Sequence, residues 1–364
     1  FTILFAVFTQ LFAVTAVGGY QQYVGYLLLK STIFVALLIA PFYVFGRILT
    51  CCFHLQRENI GSAYGLDFTG AALACLLTPL LFHYFNLPGV IAFFLAATSL
   101  LLALSAPWPA KKKLGFLLIL LLLDAASYVT IGWYDRHGSY LYYATGTKQA
   151  ATREIASRWN EFSRVQLVEF QFDNGTKQYK IIHDNARSNV HVRRYLPGKA
   201  TVPKVLDALE SPYILGKTPK RIMVMFAGCG AEMIQFNELS AGQADITGIE
   251  INRACVDLAT QPPELADYRI ADFFTLPNIH MNYVEGRAYL DAMDDTFDVI
   301  FVGSSAPTAL AFTGDTRKYL YTKEALARYR ERLAPGGILP CNVQPTDATV
   351  ETLKRLFRGV GRDD

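Results

Sequence analysis

The chain has 364 residues, with 34 Lys and Arg against 31 Asp and Glu and a net charge of +3. That balance is too mild for a nucleic-acid binder, and no concentrated basic patch lies after Gly132. The six cysteines show neither metal-ligand spacing nor a disulfide framework, so no metal is expected.

Nearly all long apolar runs lie before Gly132 and most of the charge lies after it. The pattern predicts a membrane protein with a water-soluble half, and the bilayer is its first expected partner. The chain opens at Phe1 inside an apolar run and ends at Asp364 just after a helical pattern, so further residues are expected at both ends.

In chain order, apolar runs cover 1–17, 32–48, 65–85, 90–106 and 114–131. Each is about the length of a tilted or slightly short spanning helix, which gives about five spans. Tyr20, Tyr23, Tyr26, Trp108 and Trp133 fall near run ends, where interfacial aromatics belong. Gly70, Ala71, Ala74 and Cys75 put small residues at a spacing that lets helices approach closely. Asp67 is expected at the interface. Asp124, central in the last run, is expected to hydrogen-bond a neighbouring helix. Arg47 and Arg57 flank one link and Lys111-Lys112-Lys113 fill another, so the positive-inside rule places the lysines in the cytoplasm. If run 114–131 crosses, everything after Gly132 lies outside, where an intracellular nucleoside cofactor is scarce. Use of such a cofactor favours the cytoplasm instead, with run 114–131 not crossing or the charge rule misleading, so both sides stay open.

Residues 134–150 read as a polar, Tyr-rich linker, and 152–159 as a short helix. Strand-like runs at 165–172 and 178–183 flank Asp173-Asn174-Gly175, a strong hairpin signal. Asn174-Gly175-Thr176 also matches a glycosylation acceptor, although turn chemistry explains it better. Arg187, His191, Arg193 and Arg194 form a small basic group, read either as a solvated loop or as an anion or lipid-headgroup contact.

From Arg221 the pattern becomes strand, glycine turn, helix, strand. Residues 222–225 suit a buried parallel strand, Gly228 and Gly230 a sharp turn, and 231–239 a helix. A second strand at 246–249 ends in Glu250, about twenty residues past the glycines, where an acid can hold ribose hydroxyls. A purely structural βαβ turn is the plainer alternative. The alternation continues with a helix at 253–259, a strand at 279–284, a helix at 288–293, a strand at 297–302 and an amphipathic helix at 323–333. Ala334-Pro335-Gly336-Gly337 is expected to break the chain before a strand at 338–343 and a helix at 350–360. The fold class is therefore a transmembrane α-helical region followed by an α/β, doubly wound, mostly parallel Rossmann-like sheet, with a small β-rich segment between them. Domains are expected at 1–133, 134–215 and 216–364. Strand ends at 227–232, 250–252, 285–287 and 303–307 converge on one crevice.

The ordered pieces FAGCGAEM, TGIEIN, YVEGRAYLD, FDVIFVGSS and LYTKEALARYRERLAPGGIL are similar to the S-adenosylmethionine-dependent methyltransferase fold. More narrowly, they look like spermidine synthase, a polyamine aminopropyltransferase. EGRAYL, LYTKEA, WNEFSR at 159–164 and the run ENIGSAYGLDFTGAALACLL at 58–77 resemble its membrane-fused relatives. The resemblance covers nearly the whole chain. It implies S-adenosylmethionine or its decarboxylated form as cofactor. The glycine turn (Gly228, Gly230) and Glu250 would hold the amino-acid part and ribose, and Glu285 the adenine amine. Ser304 completes the candidate cofactor-binding set.

The catalytic segment departs from that family. Where it carries Asp-Ser-Ser-Asp-Pro, this chain has Gly303-Ser304-Ser305-Ala306-Pro307, and Cys229 stands where the turn carries Asp. An alkylammonium nucleophile must lose a proton before attacking a sulfonium, and neither serine is a base for it without a helper. Cys229 is expected as packing rather than as a nucleophile. Asp272, Asp315, Tyr319 and Tyr321 are polar groups near the same crevice with no assigned role. No catalytic residue is assigned. Two functional expectations follow: a membrane transferase using S-adenosylmethionine or a derivative, or a non-catalytic relative serving as a subunit of a larger membrane protein complex.

Overall fold

The computed structural model describes residues 39, 42–43, 45–105, 107–137, 149–183, 188–204, 209–303 and 320–340. The expected run at 1–17, most of that at 32–48, and the expected helix at 350–360 lie outside these residues.

Among the described residues, four helices precede the sheets: α1 (Phe45–Leu55), α2 (Ile60–Tyr84), α3 (Leu87–Ser105) and α4 (Ala110–His137). The last three contain stretches long and apolar enough to cross a membrane. Leu66, Leu76 and Leu122 stand more than two-thirds exposed on them. Exposed apolar side chains on this scale are unusual on a helix that meets only water. Asn86 turns the chain between α2 and α3, its side-chain oxygen accepting the Gly89 N–H at 3.0 Å. The Lys113 ammonium donates to the Leu104 carbonyl at the C-terminal end of α3, 2.7 Å away. Between α3 and α4, the buried Ser99 hydroxyl donates to the Asp124 carboxylate at 2.8 Å, which is the expected inter-helix bond. The small-residue stripe behaves otherwise. A Cβ placed at Gly70 would meet nothing within 4 Å, so no described helix packs closely there. Helix α4 also runs on to His137, through the start of the expected linker.

The small sheet is antiparallel, in the order β1 (Gln149–Trp159), β2 (Arg164–Phe172), β3 (Lys177–His183), β4 (Ser188–His191). The expected helix at 152–159 is instead the body of β1. A bulge between Glu154 and Ala156 explains the difference: it sets Ile155 and Ala156 side by side against one core and breaks the period-two signature. The β2–β3 hairpin forms as expected. Gly175 takes φ +78°, and the Asn174 side chain accepts the Thr176 N–H at 2.9 Å. Strand β4 emerges from a stretch that reads as a basic loop.

The larger sheet is parallel, in the order β7-β6-β5-β8-β9. Its members are β5 (Arg221–Met225), β6 (Asp245–Ile249), β7 (Ile279–Asn282), β8 (Phe297–Val302) and β9 (Leu333–Ile338). Helices α5 (Ala231–Leu239), α6 (Ala254–Thr260), α7 (Ile270–Phe274), α8 (Gly286–Ala292) and α9 (Lys323–Arg332) connect them. On β5, Ile222 and Val224 enter one core with Met233 and Phe236, while Met223 and Met225 enter another with Leu326 and Tyr329. A strand buried on both faces reads as a continuous apolar run, as this one does. The strand order reverses beside β5, the switch point where such sheets hold ligands. Strand β9 shows that 333–337 is strand rather than the expected break; of the strand expected at 338–343, residues 341–343 lie outside the described residues. Leu333 already pairs with Phe297 and Ile338 with Val299, and Ala334-Pro335-Gly336-Gly337 bulges between these pairs. Gly336, at φ +71°, supplies the backbone turn that the bulge needs.

Candidate functional site

The expected crevice would start at the end of β5. Gly228 and Gly230 take φ +53° and +85°, and the Gly230 N–H returns to the Ala227 carbonyl at 2.7 Å. Glu250, at the end of β6, answers this turn. One carboxylate oxygen accepts the Gly228 N–H at 3.0 Å and the other the Asn252 N–H at 2.9 Å. Burial pushes the Glu250 carboxyl above its ordinary range, against the pull of these backbone donors. The turn and the acid are thus brought together.

Beyond Glu250, Asn252 makes a link that sequence reasoning missed. The Asn160 amide, just after β1, donates to the Asn252 side-chain oxygen at 2.6 Å. Asn252 in turn donates to the Ser163 hydroxyl at 3.1 Å. His183 lies between that hydroxyl, 3.1 Å away, and the Cys255 sulfur, 3.4 Å away. The small sheet is therefore tied to the second strand end by side-chain amides. The WNEFSR segment was the only signal for this in sequence, through resemblance alone.

The glycine turn is roofed. A Cβ at Gly228 would sit 3.7 Å from Val190 of β4, and one at Gly230 only 2.7 Å from the Phe274 ring of α7. Cys229 is buried, and burial raises its thiol pKa to about 12, so it packs rather than attacks. Beside it, one Glu232 carboxylate oxygen is buried with no hydrogen-bond partner among the described residues. Burial raises the Glu232 pKa as well.

The remaining expected residues are less tightly gathered. Glu285 is exposed and caps α8, accepting the Ala288 N–H at 2.9 Å. Ser304, Ser305, Ala306, Asp315 and Tyr319 lie outside the described residues. Asp272 pairs with Arg269 at 2.7 Å on an exposed face. Of the small basic group, Arg187 is outside the described residues. Arg193 donates to Glu238 at 2.6 Å, and Arg194 lies over the Tyr268 ring at 5.1 Å. Both described arginines are thus engaged by the fold itself. At Gly303, a Cβ would lie 2.9 Å from the Phe301 ring. Among the described residues, no group of three or more His, Cys, Asp or Glu could hold a metal ion.

No family model matches the sequence, and no curated protein matches it. Among solved structures, the spermidine synthase from Thermotoga maritima is similar at 17% identity, with a TM-score of 0.38, over 58% of this chain and 64% of that one. A spermidine synthase in complex with the transition-state analogue AdoDATO gives 16% identity and a TM-score of 0.38, over 57% of this chain and 63% of that one. An S-adenosylmethionine-dependent methyltransferase from Agrobacterium tumefaciens gives 13% identity and a TM-score of 0.31, over 42% of this chain and 48% of that one. The chain thus spans less than two-thirds of the length of each of these three.

Proposed function

We propose that this is an integral-membrane, spermidine synthase-like protein whose crevice binds S-adenosylmethionine or its decarboxylated form. The observation that carries this reading is the Glu250 carboxylate, held between the Gly228 and Asn252 N–H groups at the switch point of the sheet. An acid so fixed beside a glycine turn can offer the remaining lone pairs of its two oxygens to a ribose diol. Aminopropyl transfer of the ordinary kind is not part of the proposal, because Gly303 and Ala306 stand where the resembling family keeps its acids. Isothermal calorimetry on the full chain in detergent tests the reading, with S-adenosylmethionine, its decarboxylated form and methylthioadenosine as titrants. Saturable heat with any one of them is expected, and heat from none of them sinks the reading.

A second reading, a non-catalytic subunit of a larger membrane complex, is favoured by the burial of Cys229 under β4. Isolation from native membranes as a lone monomer would remove it.

A further inference from the structure

A cavity of about 400 Å³ lies where the membrane helices meet the small sheet. Its walls include Asn86 of the α2–α3 turn, Tyr128, Val129 and Gly132 of α4, and Ser157 and Trp159 of β1. The spanning segments end at its rim: Arg57–Tyr84 stops two residues before Asn86, Leu87–Ser105 starts just after it, and Ala110–Trp133 stops just after Gly132. The cavity therefore sits at the level of the membrane–water boundary, where Trp and Tyr side chains belong.

Its lining is divided. Asn86 and Ser157 present polar groups, while Val129 and the Tyr128 and Trp159 rings present apolar surface. A fully polar solute would be desolvated against the rings without return. A hydrocarbon chain alone would leave the Ser157 hydroxyl and the Asn86 amide nitrogen, whose companion oxygen is already held by the Gly89 N–H, against apolar atoms. A molecule with a polar end and an apolar stem satisfies both walls, and the volume falls within the range of roughly 300–1,000 Å³ common to small-molecule sites. We propose that this cavity binds the polar end of a bilayer amphiphile, its headgroup and first methylenes.

The wall connects to the crevice through one hairpin. Trp159 is followed by Asn160, whose amide reaches Asn252 at 2.6 Å, and the Asn252 N–H donates to Glu250 at 2.9 Å. The inference does not require the transferase reading. On that reading, the bound amphiphile is the class to which the acceptor belongs.

The chain has three tryptophans, so Trp108→Phe with Trp133→Phe leaves Trp159 as the sole reporter. In phosphatidylcholine vesicles, lipid brominated near the headgroup should remove most of the Trp159 emission, and lipid brominated near the chain end much less. Gly132→Leu fills the cavity from a position where a Cβ meets nothing within 4 Å, and it should restore the emission. Ser157→Leu does so from the opposite wall and serves if the first variant fails to fold. Emission untouched by bromolipid but lost to aqueous iodide overturns the proposal. So does quenching that both filling variants leave unchanged, because Trp159 would then be seeing bulk lipid. Calorimetry on the crevice is a separate measurement, so failure of one reading does not look like failure of the other.

Discussion

Ser99 and Asp124 are joined across α3 and α4 by a hydroxyl-to-carboxylate hydrogen bond of 2.8 Å. A carboxylate halfway along an apolar helix is costly unless a neighbour satisfies it, and Ser99 is that neighbour. Inter-helix hydrogen bonds in membranes average about 0.6 kcal/mol, with a maximum near roughly 1.7 kcal/mol. Ser99→Ala should lower the stability of the helix pair by that range in detergent unfolding. Adding Asp124→Leu should recover part of it, because the uncompensated carboxylate is then gone. No loss in Ser99→Ala would show that the bond carries no stability, and equal losses in the single and double variants would show that the unpaired carboxylate adds no cost of its own.

Glu250→Gln tests the crevice. The amide keeps the shape but weakens the hold on ribose hydroxyls and on the Gly228 N–H. Hydrogen bonds to a charged group are worth about 1.5–3 kcal/mol, so affinity for an S-adenosylmethionine-type ligand should fall about 10- to 150-fold by calorimetry. Unchanged affinity would move the ligand away from Glu250.

The same acid sets a pH dependence. Burial raises the folded-state pKa of Glu250, and that of Glu232, above the unfolded carboxylate value. The folded state then holds more protons than the unfolded one across that window. Their contribution is fully present below the unfolded value and is lost as pH rises through the folded value. Denaturant midpoints of the full chain should therefore fall as pH rises from the ordinary carboxylate range towards the raised one. The slope should be shallower in Glu250→Gln.

Glu285 has a structural task that can be separated from any contact with a ligand. Its carboxylate caps α8 through the Ala288 N–H at 2.9 Å. Glu285→Ala should cost about 0.5–2 kcal/mol in chemical unfolding. Glu285→Ser keeps a capping oxygen and should recover most of that loss. If Glu285 also meets an adenine amine, the Glu285→Ser variant stays stable yet binds the ligand more weakly. Matching affinities for Glu285→Ser and the unaltered chain would leave Glu285 as a cap only.

Gly303 stands where the resembling family keeps an acid, and the local packing now favours glycine. A Cβ there would sit 2.9 Å from the Phe301 ring, tighter than side chains tolerate without movement. Gly303→Asp should destabilise the α/β half by about 1–3 kcal/mol, the usual cost of overpacking. Phe301→Leu in the same chain should relieve part of it. Full stability of Gly303→Asp by thermal unfolding would mean that the ring moves aside freely.

Topology follows from the length of α4. At about 1.5 Å per residue its 28 residues reach about 42 Å, more than the roughly 30 Å of a bilayer core. Lys111-Lys112-Lys113 at one end and the sheets at the other should therefore label from opposite faces. The charge rule puts the lysines in the cytoplasm, so reporters fused after His137 should read as external. A cytoplasmic reading would place the crevice where S-adenosylmethionine is plentiful and would favour the transferase over the subunit.

Much of the α/β half was legible because its signals are local. The apolar run of β5, the glycines after it and the acid after β6 each act within a few residues of their own position. Strand β1 was not legible in this way. Its bulge at Ile155 removes the alternation, and what holds it extended is pairing with β2, its partner in the hairpin, rather than any propensity of its own. Strand β4 hid in a basic stretch for a similar reason, since its partners lie on β3.

Legible from the residues alone were the apolar helices ahead of the sheets, the parallel sheet, and the placing of Glu250 beside the Gly228 turn. These depend on periodicity and on backbone freedom, which are properties of short segments. It took the packed molecule to bring Val190 and Phe274 over the turn, Asn160 to Asn252, Phe301 against position 303, and the helix ends and β1 around a cavity. Each of these is a contact fixed by how the sheets and helices pack and by no local pattern.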